Sequence, residues 1–187
     1  MSIADKPMTA AEFARLPSDG REFELVRGEL LAMNRPKPKH GKVLFRIARV
    51  VGDFIEDRDL GHWFGGDAGI VTEQDPDTVR GPDAAFASYQ RIPREADDEH
   101  YFLVAPELVF EALSPSDRWV DVLDKVSEYL HAGVNVVCLV DPRARTVQLH
   151  RAEAPPITLA ENDSFELPDI LPDFRCQVTR FFPRQSP

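Results

Sequence analysis

At 187 residues, with 43% hydrophobic and 29% charged side chains, the chain is too polar for a membrane protein and long enough to bury roughly 70% of the surface its unfolded form exposes. Its 22 basic against 32 acidic residues give a formal net charge of -10, which disfavours holding a polyanion by bulk electrostatics. One globular domain over residues 1–187 is the simplest organisation.

The opening stretch, MSIADKPMTAAEF, has neither the basic flank nor the apolar core of a signal peptide, and no later run approaches bilayer length. The expected compartment is the cytoplasm. Thr9 followed by Glu12 forms a capping box that opens a short helix through Phe13 and Leu16, stopped by Pro17. Phe23 to Val26 and Glu29 to Met33 read as two strands joined by the two-residue loop Arg27-Gly28, a hairpin signal. Glu22 and Glu24 alternate with Phe23 and Leu25, and periodicity alone accounts for them as a solvated strand face.

Pro36 and Pro38 lead into a helix from about His40 to Glu56, whose apolar face carries Val43, Leu44, Ile47, Val51, Phe54 and Ile55. Opposite them Lys42, Arg46 and Arg49 line up, and with Arg35, Lys37 and Lys39 they fall in a stretch, residues 34–52, that contains no acid. A solvated helix face produces such a pattern. In so acidic a chain the absence of acids favours an anionic ligand.

Gly61 to Gly69, GHWFGGDAG, reads as a turn-rich approach to a short strand at Ile70 to Thr72, without the GxGxxG or Lys-Ser/Thr of a phosphate-cradling loop. Asp75-Pro76-Asp77 turns the chain toward Gly81-Pro82-Asp83, so Asp83 stands at the start of a small-residue strand, Ala84 to Ala87. READDEH, residues 94–100, is expected to be an exposed acidic loop.

Leu108, Val109, Phe110, Ala112 and Leu113 form an apolar run of the kind found in a strand buried on both faces, and Glu111 interrupts it. A buried carboxylate has to be neutralised, paired or bound to a cation. Pro115 ends the strand, Ser116 or Asp117 can cap the following helix, and Trp119, Leu123, Val126 and Leu130 recur at helical spacing as its sheet-facing side. Lys125 lies beside that side with Val122 and Tyr129 as helical neighbours, so its amine can snorkel toward Glu111.

Gly133 is a left-handed cap candidate, Val134 to Val140 another buried strand, and Asp141-Pro142 a turn into Thr146 to His150. The proline-rich tail alternates short extended pieces with turns. Cys138 and Cys176 belong to no CxxC or Cys/His pattern, and His40, His62, His100, His131 and His150 lack metal-ligand spacing and read as polar surface groups.

The candidates for chemistry are therefore Glu24, Asp83, Glu111 and Lys125, each near an element that can reach one sheet edge. Two converging carboxylates suit a hard divalent cation such as Mg2+, which lowers the pKa of a bound water and offsets charge on a phosphoryl oxygen. Lys125 can then orient or deprotonate the water or stabilise the transition state.

FELVRGEL, GPDAAF, PELVFEALSPSD and DKVSEYLHAGVNVVCLVDP, in that order, resemble the Uma family of restriction endonucleases in the PD-(D/E)XK nuclease superfamily, and the likeness runs from Met8-Thr9 to the LPDF of the tail. The resemblance implies an α/β fold with a restriction-endonuclease-like core, a mixed central β-sheet flanked by α-helices. It implies Asp83 as the Asp of the PD motif, Glu111 as the acid of (D/E)XK, both of them metal ligands, and Glu24 as the acid of the early element. Leu113 stands where the motif has Lys, and the placement of Lys125 resembles the migrated lysine of such families. Arg27 stands where family members tend to carry Asp or Asn before Gly28.

The expected function is a Mg2+-dependent endonuclease, with Mn2+ as a substitute, that hydrolyses phosphodiester bonds in DNA. Glu24, Asp83, Glu111 and Lys125 are its catalytic set, and Lys42, Arg46 and Arg49 touch phosphates. A homodimer suits cleavage of both strands. The alternative is a catalytically inactive nuclease-fold module for binding or assembly, in which Glu111 and Lys125 form a structural ion pair.

Overall fold

The computed structural model describes residues 6–17, 22–66, 68–96 and 100–184. Asp97, Asp98 and Glu99 of the expected acidic loop, and the first five residues of the opening stretch, lie outside the described residues. In chain order the elements are α1 (Ala10–Phe13), β1 (Phe23–Val26), β2 (Glu29–Ala32), α2 (Pro38–Ile47), a π-helical turn (Ala48–Gly52), α3 (Asp53–Asp57), β3 (Gly61–Gly65), β4 (Ile70–Glu73), β5 (Thr78–Arg80), β6 (Ala84–Ser88), β7 (Leu108–Ala112), α4 (Trp119–His131), β8 (Val136–Asp141), β9 (Thr146–Arg151) and β10 (Ala154–Leu159). A small pair, β11 (Ser164–Phe165) and β12 (Cys176–Gln177), and a 3-10 turn (Val178–Phe181) close the chain.

The main sheet runs β10-β9-β8-β7-β6-β3. Only β7 and β8 are parallel, linked through α4, so the sheet is mixed. The two-residue repeat of β7 sends Leu108, Phe110 and Ala112 to the layer formed by α2, the π turn and α3, and Val109 to the layer of α4. Glu111 thereby falls on the α4 side. Helices on both faces are the architecture that the resemblance implies.

Val43, Ile47, Val51 and Ile55 are spaced by four and all fully buried. A regular α-helix of 3.6 residues per turn would rotate such a repeat off its face, and the wider π turn at Ala48–Gly52 absorbs the excess. Pro155 and Pro156 are tolerated because β10 is an edge strand with a register shift between Ala154 and Ile157. A second sheet, β2-β1-β5-β4, lies beside the first. Its Leu25, Val71 and Val79 pack against Phe13 of α1, whose Thr9–Glu12 capping box forms as expected.

Three local expectations are corrected. Gly61 to Gly65 is an edge strand paired with β6, not a turn. Its terminal glycines lie so close to that strand that a Cβ would meet Ala87 O at 2.1 Å and Asp83 O at 2.4 Å, so glycine marks a close approach of backbones there. In α4, Trp119 and Leu123 are 52% and 48% exposed; the sheet-facing side is Val126 and Tyr129, rotated toward Lys125 because that side also carries the polar pairings described below. The N-cap of α4 is Arg118 without a side-chain bond, since the Asp117 carboxylate accepts the Ser114 N–H at 2.7 Å instead.

The exposure of Leu123 separates it energetically from the core. Leu123→Ser is expected to stay within ~0.5 kcal/mol of wild type in urea unfolding, whereas Phe110→Ala costs ~3–5 kcal/mol; equal losses would place Leu123 back against the sheet.

Candidate active site

The hairpin of β1 and β2 carries Glu24 inward. Its two-residue loop holds Arg27 at φ 50° and Gly28 at φ 78°, so the bulky Arg27 occupies a left-handed conformation that is uncommon for such a residue. The loop is tied to the neighbouring strand, the Arg27 N–H donating to Thr78 Oγ1 (3.0 Å) and the Gly28 N–H to Asp77 O (2.8 Å). Leu25 pairs with Val79, which sets Glu24 opposite Arg80. Glu24 is only 4% exposed, so the solvated strand face expected from its alternation is corrected. Both faces of β1 are covered at its centre.

Arg80 Nη1 donates to Glu24 Oε2 at 2.7 Å, while its Nε and Nη2 grip Glu128 of α4 at 2.6 and 2.8 Å. The Gly81 N–H donates to Glu24 Oε1 at 3.1 Å. Lys125 Nζ reaches Glu24 Oε1 at 3.0 Å, Glu111 Oε1 at 2.9 Å and Gly81 O at 3.4 Å. Tyr129, fully buried one turn further along α4, donates its hydroxyl to Glu111 Oε1 at 2.8 Å. Asp83, just before β6, accepts the Ala112 N–H on Oδ2 at 2.7 Å, and His40 Nε2 lies 3.1 Å from the same oxygen.

Glu24, Asp83, Glu111 and Lys125 thus line one open cleft of ≈ 320 Å³, walled by Leu31 and Met33 on one side and the first turns of α4 on the other. The remaining predicted residues lie elsewhere. Lys42 and Arg46 of α2 and Arg49 of the π turn line a separate groove, while His40 turns from the first turn of α2 into the cleft.

Burial pushes the Glu111 carboxyl up to about 7; Lys125 opposes this and the charge of Asp83 adds to it. Burial also works against the charge of Glu24, but Lys125 and Arg80 more than reverse it and hold that carboxyl below the usual range. Burial likewise opposes the charge on Lys125, and Glu111 and Glu24 overcome it to raise the amine. Glu111 and Glu24 together keep the ammonium charged, and of the two carboxyls Glu111 is the one that burial raises. The hydrogen bond to Asp83 raises His40. Burial, then the charge of Glu111, raises the Tyr129 phenol, which stays a donor.

The donor set is all oxygen, which suits a hard cation rather than zinc. Both bonds to Asp83 fall on Oδ2 and both to Glu111 on Oε1, so each carboxylate has a second oxygen that can take part in ligation. Two carboxylates are a sufficient protein contribution for Mg2+, which keeps several waters. Among the described residues no group of three His, Cys, Asp or Glu is placed to hold a metal.

The model of the Uma2 family, described as "Putative restriction endonuclease", matches residues 10–179. The chain belongs to the Uma2 family. Its fold is also that of a crystal structure described as a putative nuclease belonging to DUF820 from Anabaena variabilis ATCC 29413, with TM-score 0.80, 23% identity, and coverage of 94% of this chain and 98% of that one. No curated protein matches.

In this Uma2 chain the sequence reading misses four members of the site, Arg80, Glu128, Tyr129 and His40. Arg80 had a signal: a guanidinium between buried Val79 and the GPD turn needs carboxylate partners. His40, expected on the surface, is mostly buried against Asp83, and His150 is buried too. Nothing in the histidine spacing announces either.

The raised carboxyl of Glu111 fixes a sign. From about pH 4.5 to 7 the native state retains a proton that the unfolded chain has released, so Glu111 contributes stability that is lost as pH rises through about 7. His40, also raised, works in the same direction above its ordinary value. Urea unfolding of Glu111→Gln against wild type isolates the first share: the variant gains stability relative to wild type between pH 5 and 8, by ~1–3 kcal/mol. A constant difference across that window would place the proton elsewhere.

Proposed function

We propose that this Uma2 protein is a metal-dependent endonuclease that hydrolyses phosphodiester bonds in DNA. The observation that carries the reading is the convergence of Glu24, Asp83, Glu111 and Lys125, from four separate parts of the chain, on one open cleft. Asp83 and Glu111 are the residues that would hold Mg2+, or Mn2+ in its place. When bound there, such a cation would supply a lowered pKa for water and positive charge at a phosphoryl oxygen.

The chain's own residues do the rest. Lys125, fixed by Glu24 at 3.0 Å and the Gly81 carbonyl at 3.4 Å, presents a charged amine that orients the attacking water and stabilises the charge developing on the phosphate. Glu24 acts on Lys125 and is held by Arg80 and the Gly81 N–H, which makes it a positioning residue. Tyr129 fixes the Glu111 carboxyl and His40 that of Asp83. Lys42, Arg46 and Arg49 supply positive potential on α2 for the backbone of the substrate. A cytoplasmic homodimer would set two such clefts on opposite strands.

One observation favours a second reading. The Lys125–Glu111 pair is closed at 2.9 Å, as in a structural ion pair of a binding or assembly module without catalysis.

Supercoiled DNA incubated with Mg2+, Mn2+ or EDTA separates the two. Wild type is expected to nick in either metal and not in EDTA, and Asp83→Asn and Glu111→Gln to lose at least about a hundredfold of that rate. Inert wild-type protein across several DNA forms would remove the nuclease. Thermal unfolding gives an independent readout, since a cation at a hundred times its Kd adds ~2.7 kcal/mol. Wild type should rise in Tm with Mg2+ and Glu111→Gln should not; a module built on the ion pair responds in neither form.

A further inference from the structure

The outer face of α2 borders a groove of ≈ 860 Å³ whose other wall is the 3-10 turn and the chain after it, to Arg184. Six of the chain's 22 cations line it, with Asp53 as the one acid of the lining. Arg145 is committed: it pairs with Glu161 and donates to Pro183 O at 3.2 Å, which shapes the wall. Among the described residues the other five, Lys42, Arg46, Arg49, Arg180 and Arg184, are not paired with a carboxylate. Arg46 only bridges the walls, through a weak bond to Arg180 O at 3.5 Å. In a chain of net charge -10, five unneutralised cations facing one concavity repel one another and call for a polyanion.

Phe45 decides which polyanion. It is 77% exposed, the most exposed large apolar side chain among the described residues, and stands three residues after Lys42 and four before Arg49, between them on the helix surface. In a duplex the base faces are already stacked on one another, and a ring reaches them only by unstacking a step at a cost of about a few kcal/mol. An unpaired base offers a flat π surface that stacks on the ring while the cations take the flanking phosphates. From Lys42 to Arg49 the helix rises roughly 10 Å, the run of about three stacked nucleotides at about 3.4 Å each.

We propose that this groove binds a single-stranded segment of nucleic acid, with phosphates on Lys42, Arg49 and Arg180 and a base on Phe45. The inference rests on the nuclease reading for the class of ligand and deepens it: the site is distinct from the cleft. His40 faces the cleft from the buried side of α2 and the groove opens on the opposite side, so roughly one helix diameter, about 10 Å, separates them. A strand leaving the cleft unpaired reaches the groove within a few nucleotides.

Fluorescence anisotropy in EDTA, with a labelled short oligothymidylate, a labelled hairpin duplex and vesicles containing anionic lipid, tests the groove through variants of its own lining. Oligothymidylate binds more tightly than the hairpin. Phe45→Ala weakens oligothymidylate binding by about five- to a hundredfold and leaves the hairpin unaffected, and Phe45→Trp restores it. The double variant Arg49→Glu, Arg180→Glu lowers the slope of log K against log salt by about one to two. Equal binding of hairpin and oligothymidylate, indifference to Phe45→Ala, or binding to vesicles alone would overturn the proposal. EDTA and Glu111→Gln disable cleavage without altering the groove, so a failure of the cleavage reading leaves the binding result standing, and a failure of binding leaves cleavage standing.

Discussion

The structure around the cleft depends on the ammonium of Lys125, held between Glu24 and Glu111 at 3.0 and 2.9 Å. A charge taken out of water has to be matched close by, and matching this one ties α4 to β1 of the small sheet and β7 of the large one. Arg80 repeats the device one strand over, joining Glu24 to Glu128. Two cations thus serve three carboxylates, and the surplus acid is the one whose pKa is pushed to about 7, Glu111. Burial, with the charge of Asp83 adding to it, is what pushes that carboxyl up, and a cation arriving beside Asp83 would favour the charged form of Glu111.

The parts of this arrangement that were legible in the sequence are those that broke a local pattern. Glu111 could be read because it interrupts an apolar run, and Lys125 because its helical neighbours are apolar on the side of the sheet. Glu24 breaks nothing: polar and apolar residues alternate through Glu22 to Leu25 as they do on a half-solvated strand, and its burial comes from β5 and α4, which lie far away in sequence. Arg80 and Glu128 meet across 48 residues, a pairing that no spacing rule records. The rotation of α4 follows from the same cause. Hydrophobic periodicity placed Trp119 and Leu123 inward, and the need to point Lys125, Glu128 and Tyr129 at buried partners turned the helix away from that face.

Element type followed from patterning in most of the chain, and the exception at Gly61 to Gly65 has a steric origin. Glycine signals a turn because it relaxes the backbone, but it also permits two strands to touch where a Cβ would lie 2.1 Å from a carbonyl. The order of motifs, rather than any one of them, carried the family. Asp83 illustrates why: a Pro-Asp pair is common, but here its carboxylate takes the Ala112 N–H just beyond the end of the β6–β7 ladder, locking the turn to the strand that bears Glu111.

The helix α2 is a partition. Its buried face supports the core and delivers His40 to Asp83, and its outer face gathers cations that the net charge of the chain conceals. The separation matters for the ion pair in the cleft. Glu24 and the Gly81 carbonyl hold Lys125 besides Glu111, so the amine would keep two partners if the proposed cation took up Glu111. A site with a single carboxylate for each charge would have to come apart to accept a ligand. Here the second carboxylate would keep the positive charge in place, and the closed pair is compatible with the chemistry proposed for the cleft.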